Sequence, residues 1–368
     1  MTRSFDVIVV GGGPVGAATA RELALTNRRV LLLEAGGEMG QAWKAAAGML
    51  APQIEAGPED PLLELGLEAR ELYPTLAGEL LETTGVDIGL WQEGIAAVAA
   101  TEAEAAEFRA RCAWQRQQGH LGDWLDAEEV RSRWPWLGPT FGAFFAPYEG
   151  ALEPARLVEA LCRDAERLGA TLEQDTVTGL ETRGDRATGV VARRGRYSAE
   201  SVVLAAGAWS STLDGLPRPL AIAPVRGQMA ALPWPVDARR AIIYGHGCYV
   251  VARGEEAIVG STMEFAGYRA EVTSAGLARV FNAVTALWPG VDRAEVRRTW
   301  AGLRPVTADG LPIIGPEPRL TGLWYASGHG RNGILLAGLT GRLVRQLIAG
   351  EPLAQDLSRC GPERFWSW

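Results

Sequence analysis

The sequence predicts an α/β fold in which a parallel-sheet unit, assembled from separated segments, is interrupted by a second domain with a mixed or antiparallel sheet. Three observations predict it. The first 34 residues read as strand, glycine-rich turn, helix and strand; after Gly85 the pattern changes to alternating apolar residues; between Glu153 and Ala205 helix and buried strand return.

In chain order, Asp6 to Val10 reads as a buried strand, Pro14 to about Leu25 as a helix, and Val30 to Leu33 as a second buried strand. Asn27 and the arginines behind it close the helix. From Pro61 to about Thr83 leucines recur at helical spacing among glutamates. Val86 to Ala100 alternates like a strand pair, Glu102 to Gln118 is a charged helix, and Trp134-Pro135-Trp136-Leu137-Gly138-Pro139 is a breaker-rich loop. Glu153 to Leu168 reads as helix with Pro154 in its first turn, and strand-like runs follow up to Ser201–Ala205. Ile242 to Val251 and Ala257 to Val259 look like antiparallel strands, Ser274 to Leu287 a helix, Leu323 to Ala326 a short buried strand, and Asn332 to Ile348 the closing helix. Residues 1–85, 150–216 and 303–368 are therefore assigned to the first domain, and 86–149 and 217–302 to the inserted one.

Composition narrows the function. The chain has 368 residues, 47% hydrophobic and 22% charged, enough to bury a large core. Its formal net charge of -8, without any basic run, argues against nucleic acid or an anionic membrane as partner. No stretch of about 18 apolar residues is free of charges or breakers, and Met1 to Asp6 leads straight into a strand, so neither a membrane span nor a signal peptide is expected. Cys112, Cys162, Cys248 and Cys360 are far apart, and His120, His246 and His329 are scattered; no metal site is expected, and a reduced cytoplasmic setting is the simplest reading. Lys44 is the sole lysine.

Gly11-Gly12-Gly13-Pro14-Val15-Gly16 follows a strand and opens a helix, the context in which GxGxxG binds a dinucleotide. Gly11 permits the tight turn, Gly13 lets a pyrophosphate approach, Gly16 lets helix and strand pack, and the helix N-terminus faces the anion. Glu34 closes the second strand where a carboxylate can accept from a ribose. This motif leaves NAD and FAD open. Ser201-Val202-Val203-Leu204-Ala205-Ala206-Gly207-Ala208-Trp209-Ser210 resembles the second FAD-contact motif of flavin oxidoreductases of the glutathione-reductase type. Gly328-His329-Gly330-Arg331-Asn332-Gly333-Ile334-Leu335-Leu336 is a strand-to-helix turn whose glycines let backbone approach a flat ligand.

Together with Ala45-Ala46-Ala47-Gly48-Met49-Leu50-Ala51-Pro52, Cys248-Tyr249-Val250-Val251, Val259-Gly260-Ser261-Thr262-Met263-Glu264 and Trp300-Ala301-Gly302-Leu303-Arg304-Pro305, these segments resemble the glycine oxidases of thiazole biosynthesis, in the D-amino-acid oxidase group. The resemblance runs along essentially the whole chain. It implies noncovalent FAD in a Rossmann-like domain, a small amino-acid substrate such as glycine, hydride transfer from its alpha carbon to the flavin, dioxygen as acceptor and a homo-oligomer. It also implies that Arg304 pairs with the substrate carboxylate, that Tyr249 donates to the same carboxylate, and that Arg331 is a second arginine at the site. Ala46 to Met49 and His329 to Ile334 are implied to lie against the cofactor.

Relatives usually carry an aromatic residue at the position of Gly330 and proline at that of Gly338, so a wider pocket, admitting sarcosine and small D-amino acids, is expected. Two other readings share these residues: a flavin dehydrogenase using another acceptor, and a noncatalytic FAD-binding subunit.

Overall fold

A computed structural model describes residues 3–37, 40–235 and 238–365, and its strands fall into two main sheets. The first is built on β1 (Arg3–Val10) and β2 (Val30–Glu34), whose apolar side chains are buried on both faces because layers cover the sheet above and below. β1 is central: it pairs in parallel with β2 on one side and with Gly195–Leu204 on the other. Thr171–Gln174 continues the sheet beyond β2, and Leu323–Ser327 pairs with Gly195–Leu204, both in parallel. Val177–Arg183 and Arg186–Ala192 add an antiparallel edge. Between β1 and β2 runs α1 (Pro14–Ala24), packed against Pro154–Arg167 and the closing helix Ala337–Ala349.

The second sheet is mixed. Its order is Gly40–Gln41, Arg298–Thr307, Ile222–Pro233, Glu256–Gly260, Cys248–Arg253, Ile242–Gly245, Ile95–Val98, Ala143–Ala146 and Asp123–Leu125. Strand alternation sorts its side chains. Val250, Val259 and Ala230 pack on Val280 and Val284 of helix Ser274–Leu287, whereas Tyr249, Val251, Ile258 and Met229 face Ala47, Ala51 and Ile54. Tyr249 is thereby turned toward the segment that follows β2.

Three expectations need correction. Val86 to Ala100 holds one strand, Ile95–Val98, whose partners are distant in sequence: Ala143–Ala146, antiparallel, and Ile242–Gly245, parallel. The closing helix begins at Ala337, not Asn332: residues 332–336 form successive turns, and the Ile334 carbonyl accepts both from Ala337 N at 3.3 Å and from the Tyr73 hydroxyl. Finally, the domain boundary drawn at 302/303 falls inside Arg298–Thr307, a strand that belongs wholly to the second sheet, as does Gly40–Gln41.

α1 is fixed to its neighbour by charge as well as packing. Arg21 Nε donates to Asp164 Oδ2 at 2.6 Å, and Asp164, fully buried, also accepts from Arg167 at 2.8 Å. Asp164→Ala removes this partner while Arg21 keeps Glu79 at 2.8 Å, so urea unfolding should show a loss of about 1.5–3 kcal/mol, with a smaller loss for Asp164→Asn. A loss under about 1 kcal/mol for the alanine variant would show the pair to be dispensable.

Candidate active site

A cavity of about 910 Å³ runs from the glycine turn after β1 to the second sheet. At its first end, Gly11 has φ +106°, and a Cβ there would lie 2.5 Å from the Ala205 carbonyl oxygen; one on Gly16 would overlap the Gly11 carbonyl oxygen. These two glycines are demanded by close packing. Gly13 instead meets only the edge of Trp43, at 3.4 Å. No side chain caps α1, whose N-cap is Gly13, and no acidic residue stands in its first turn, so the helix N-terminus is open to an anion. Glu34 lines the same end, held in place by Gly12 N at 2.6 Å, Gly36 N at 3.0 Å and Gln41 Nε2 at 2.7 Å. Backbone donors for a pyrophosphate and a fixed carboxylate for a ribose are what a dinucleotide requires.

Further along the wall, the 3-10 turn Gly207–Thr212 brings Ala206, Gly207 and Trp209 to the cavity, and Ser210 Oγ bonds Ser327 Oγ at 2.6 Å beneath it. Lys44 Nζ, over the Trp43 ring, donates to the Gly37 carbonyl at 2.8 Å. Gly330 N is fixed to the Pro305 carbonyl at 2.9 Å, and no heavy atom lies within 4 Å of where its Cβ would be.

At the far end stand Arg304 and Tyr249. Register places Arg304 opposite Val225, and its guanidinium lies where a side chain on Gly227 would be. Its Nη2 donates to Ser261 Oγ at 2.6 Å and its Nη1 to the Thr262 carbonyl at 3.2 Å. Among the described residues no carboxylate is within ion-pair distance of it. Burial pulls its pKa below the usual range and the nearby Tyr249 pushes it back, but guanidinium remains charged. Tyr249, buried, directs its hydroxyl to Met229 Sδ at 3.5 Å, and its ring tilts against Tyr244 with centroids 5.7 Å apart.

Arg331 is placed differently from a bare substrate clamp. It is ion-paired with Glu55, which also accepts from the Tyr244 hydroxyl at 2.7 Å. Burial, with Glu55 beside it, holds Tyr244 well above the ordinary tyrosine value, so it remains a donor. Glu55 and Tyr244 escaped the sequence reading. The cross-strand pair Tyr244–Tyr249 is legible once the hairpin turn is set at His246-Gly247, and Glu55 ends the short helix Pro52–Glu55 with Glu59 and Asp60 close behind, so nothing local singles it out. Of the residues expected at the site, only Gly16 does not line the cavity; it lies beneath, against Gly11.

His329 faces inward, with Nε2 3.0 Å from Thr340 Oγ1, and burial pushes its pKa from 6.5 to about 4. Among the described residues no three acids, histidines or cysteines gather to hold a metal ion, and no helix is long and apolar enough to cross a membrane. The unfolded chain protonates His329 near pH 6.5 while the folded one resists until about 4, so this contribution to stability is full above 6.5 and is lost as pH falls through that window. Thermal melts of His329→Gln should decline less between pH 6.5 and 4 than those of the parent; parallel curves would contradict a neutral buried imidazole.

Comparison with known proteins agrees with this geometry. Residues 6–347 match the family model described as FAD dependent oxidoreductase (DAO). Glycine oxidase of Geobacillus kaustophilus (strain HTA426) is 36% identical over 364 residues, covering 97% of this chain and 96% of that protein. The crystal structure of glycine oxidase from Geobacillus kaustophilus superposes with a TM-score of 0.94 at 35% identity over 100% of both chains. The bifunctional protein ThiO/ThiG of Synechocystis sp. is 32% identical over 99% of this chain, which spans 55% of that longer protein. The chain belongs to the D-amino-acid oxidase family of FAD-dependent oxidoreductases, and FAD is its cofactor.

Proposed function

We propose that this enzyme oxidises glycine, and with it sarcosine and small D-amino acids, to the imino acid. The observation that carries this reading is the Arg304 guanidinium, which lines the cavity bonded to the Ser261 hydroxyl and the Thr262 carbonyl, with no carboxylate at ion-pair distance among the described residues. A cation so placed is suited to a substrate carboxylate, bidentately, with the Tyr249 hydroxyl as a further donor. Residues 1–85, 150–216 and 303–368 hold the cofactor, apart from the strand segments noted above, and 86–149 and 217–302 hold the substrate. α1 and Glu34 hold the dinucleotide end; Ala46 to Met49 and His329 to Ile334 border the ring end. Cys248 is an unsuitable tether, because its thiol is buried, pushed up to about 12 and turned to the Gly245 carbonyl at 3.2 Å, so the FAD is held noncovalently.

When held by the glycine turn, the N-terminus of α1, Glu34 and the Ala46–Met49 and His329–Ile334 segments, FAD would supply the acceptor for the hydride of the alpha carbon and the route by which the electron pair reaches dioxygen as hydrogen peroxide. The protein's own share is orientation. Arg304 and Tyr249 fix the carboxylate, which leaves the alpha carbon free to turn toward the cofactor, and this reaction asks for no strong acid or base. The Glu55–Arg331 pair with Tyr244 supplies a charge-neutral border. His329, neutral and bonded to Thr340, takes no part in proton transfer. The imino acid then hydrolyses to glyoxylate and ammonia or is used in thiazole formation, a reading supported by the ThiO/ThiG names of relatives.

Anaerobic addition of glycine should bleach the flavin and air should restore it; bleaching without recovery would indicate a dehydrogenase. Arg304→Lys should raise KM for glycine tenfold or more while FAD stays bound, since a point ammonium does not reproduce the bidentate geometry. With the open space at Gly330, kcat/KM for sarcosine and D-alanine should stay within about tenfold of that for glycine. A collapse for every substrate larger than glycine would overturn the broad specificity.

A further inference from the structure

Arg253 stands just outside the lining of the cavity. It ends the strand Cys248–Arg253, on the same face as Tyr249, and donates through Nη2 to the carbonyls of Ala47 at 2.6 Å and Ala46 at 3.3 Å. Both alanines line the cavity; Arg253 lies behind them. From the same sheet, Trp300 Nε1 donates to the carbonyl of Ala45 at 3.1 Å. Three consecutive carbonyls of one turn are thus held by side chains of the second sheet.

The charge on Arg253 is also unusual. Burial depresses its pKa, and the nearest acids only partly offset this. Those acids are committed elsewhere: Glu256 pairs with Arg298 at 2.5 Å, and Glu153 faces Arg156 at 3.6 Å. Among the described residues Arg253 has no carboxylate within ion-pair distance. A desolvated cation held by backbone oxygens is costly to keep, and a neutral side chain would have served mere packing at lower cost.

We propose that Arg253 is a positioning residue of the cofactor site, fixing the Ala45–Met49 turn to the substrate-side sheet so that the cavity wall has one conformation when FAD enters. It rests on FAD as cofactor and is independent of which amino acid is oxidised. Nη2 alone meets both carbonyls, and the planar guanidinium fixes where that nitrogen sits; a lysine ammonium on its shorter, flexible stem holds them less firmly, and a thioether donates to neither.

The test compares Arg253→Met and Arg253→Lys with the parent, as apoproteins titrated with FAD and as holoenzymes. Arg253→Met should raise the Kd for FAD at least tenfold and shift the visible absorption bands of the bound flavin, and Arg253→Lys should recover part of both effects. A residue that only stabilises the fold would lower Tm and leave Kd and spectrum unchanged at temperatures well below the melt. Kd within twofold of the parent and an unaltered spectrum in both variants would overturn the proposal. Should Arg253→Met fail to fold, Arg253→Lys decides by the same measurements. Substrate turnover does not enter either readout, so a failure of glycine as substrate leaves this result readable.

Discussion

The antiparallel pairing of Ile222–Pro233 with Arg298–Thr307 is the constraint on which the rest of the site depends. Its register sets Arg226 against Leu303 and Gly227 against Gly302, and lays the Arg304 guanidinium over Gly227. Strands have a side-chain period of two, so a slip by one residue would turn Arg304 to the opposite face and leave the cavity without its cation. Long pairing makes such a slip expensive: ten residues of each strand are in register, from Ile222 with Thr307 to Ala231 with Arg298. The same sheet carries Tyr249 on the cavity face through the adjoining strands, so the two groups assigned to one carboxylate are positioned by one hydrogen-bonded network rather than by loops.

The opposite end of the cavity is held by a different kind of constraint, the near contact of backbone with backbone at Gly11, Gly16 and Ala205. There the protein offers dipoles and one fixed carboxylate; at the far end it offers full charges. Of the cations at the far end, Arg331 is compensated by Glu55 and Arg304 is not. Neutralising one arginine and leaving the next uncompensated confines the attraction for an anion to one place, which is a means of orientation as well as of affinity.

Much of this was legible in the sequence because its signals are local. The βαβ unit, the glycine turn and the helix Ser274–Leu287 depend on residues close together in the chain, and the structure gives that helix the expected limits. What was not legible is non-local. The region Val86 to Ala100 alternates, but Gly89 and Gly94 adopt left-handed φ and the single strand finds partners far along the chain. Just before the closing helix, the Ile334 carbonyl takes the hydroxyl of a tyrosine 261 residues away as well as its own turn's Ala337 N. Glu55 and Arg253 act through partners 276 and 206 residues distant, and no window of sequence contains both halves of either contact.

Lys44 illustrates how composition and fold combine. It is the sole lysine of the chain, and it lies beside Trp43 at the glycine-turn end of the cavity, with an exposed Nζ that donates to the Gly37 carbonyl. Arginine carries the rest of the positive charge and does not acylate under mild conditions. A reagent that couples to lysine therefore meets one side chain in the whole sequence. The molecule carries one lysine as an attachment point, a few residues from the cofactor turn, where a reporter group coupled at a pH that favours side-chain amines would sense the loading of the cavity without any residue being introduced for the purpose.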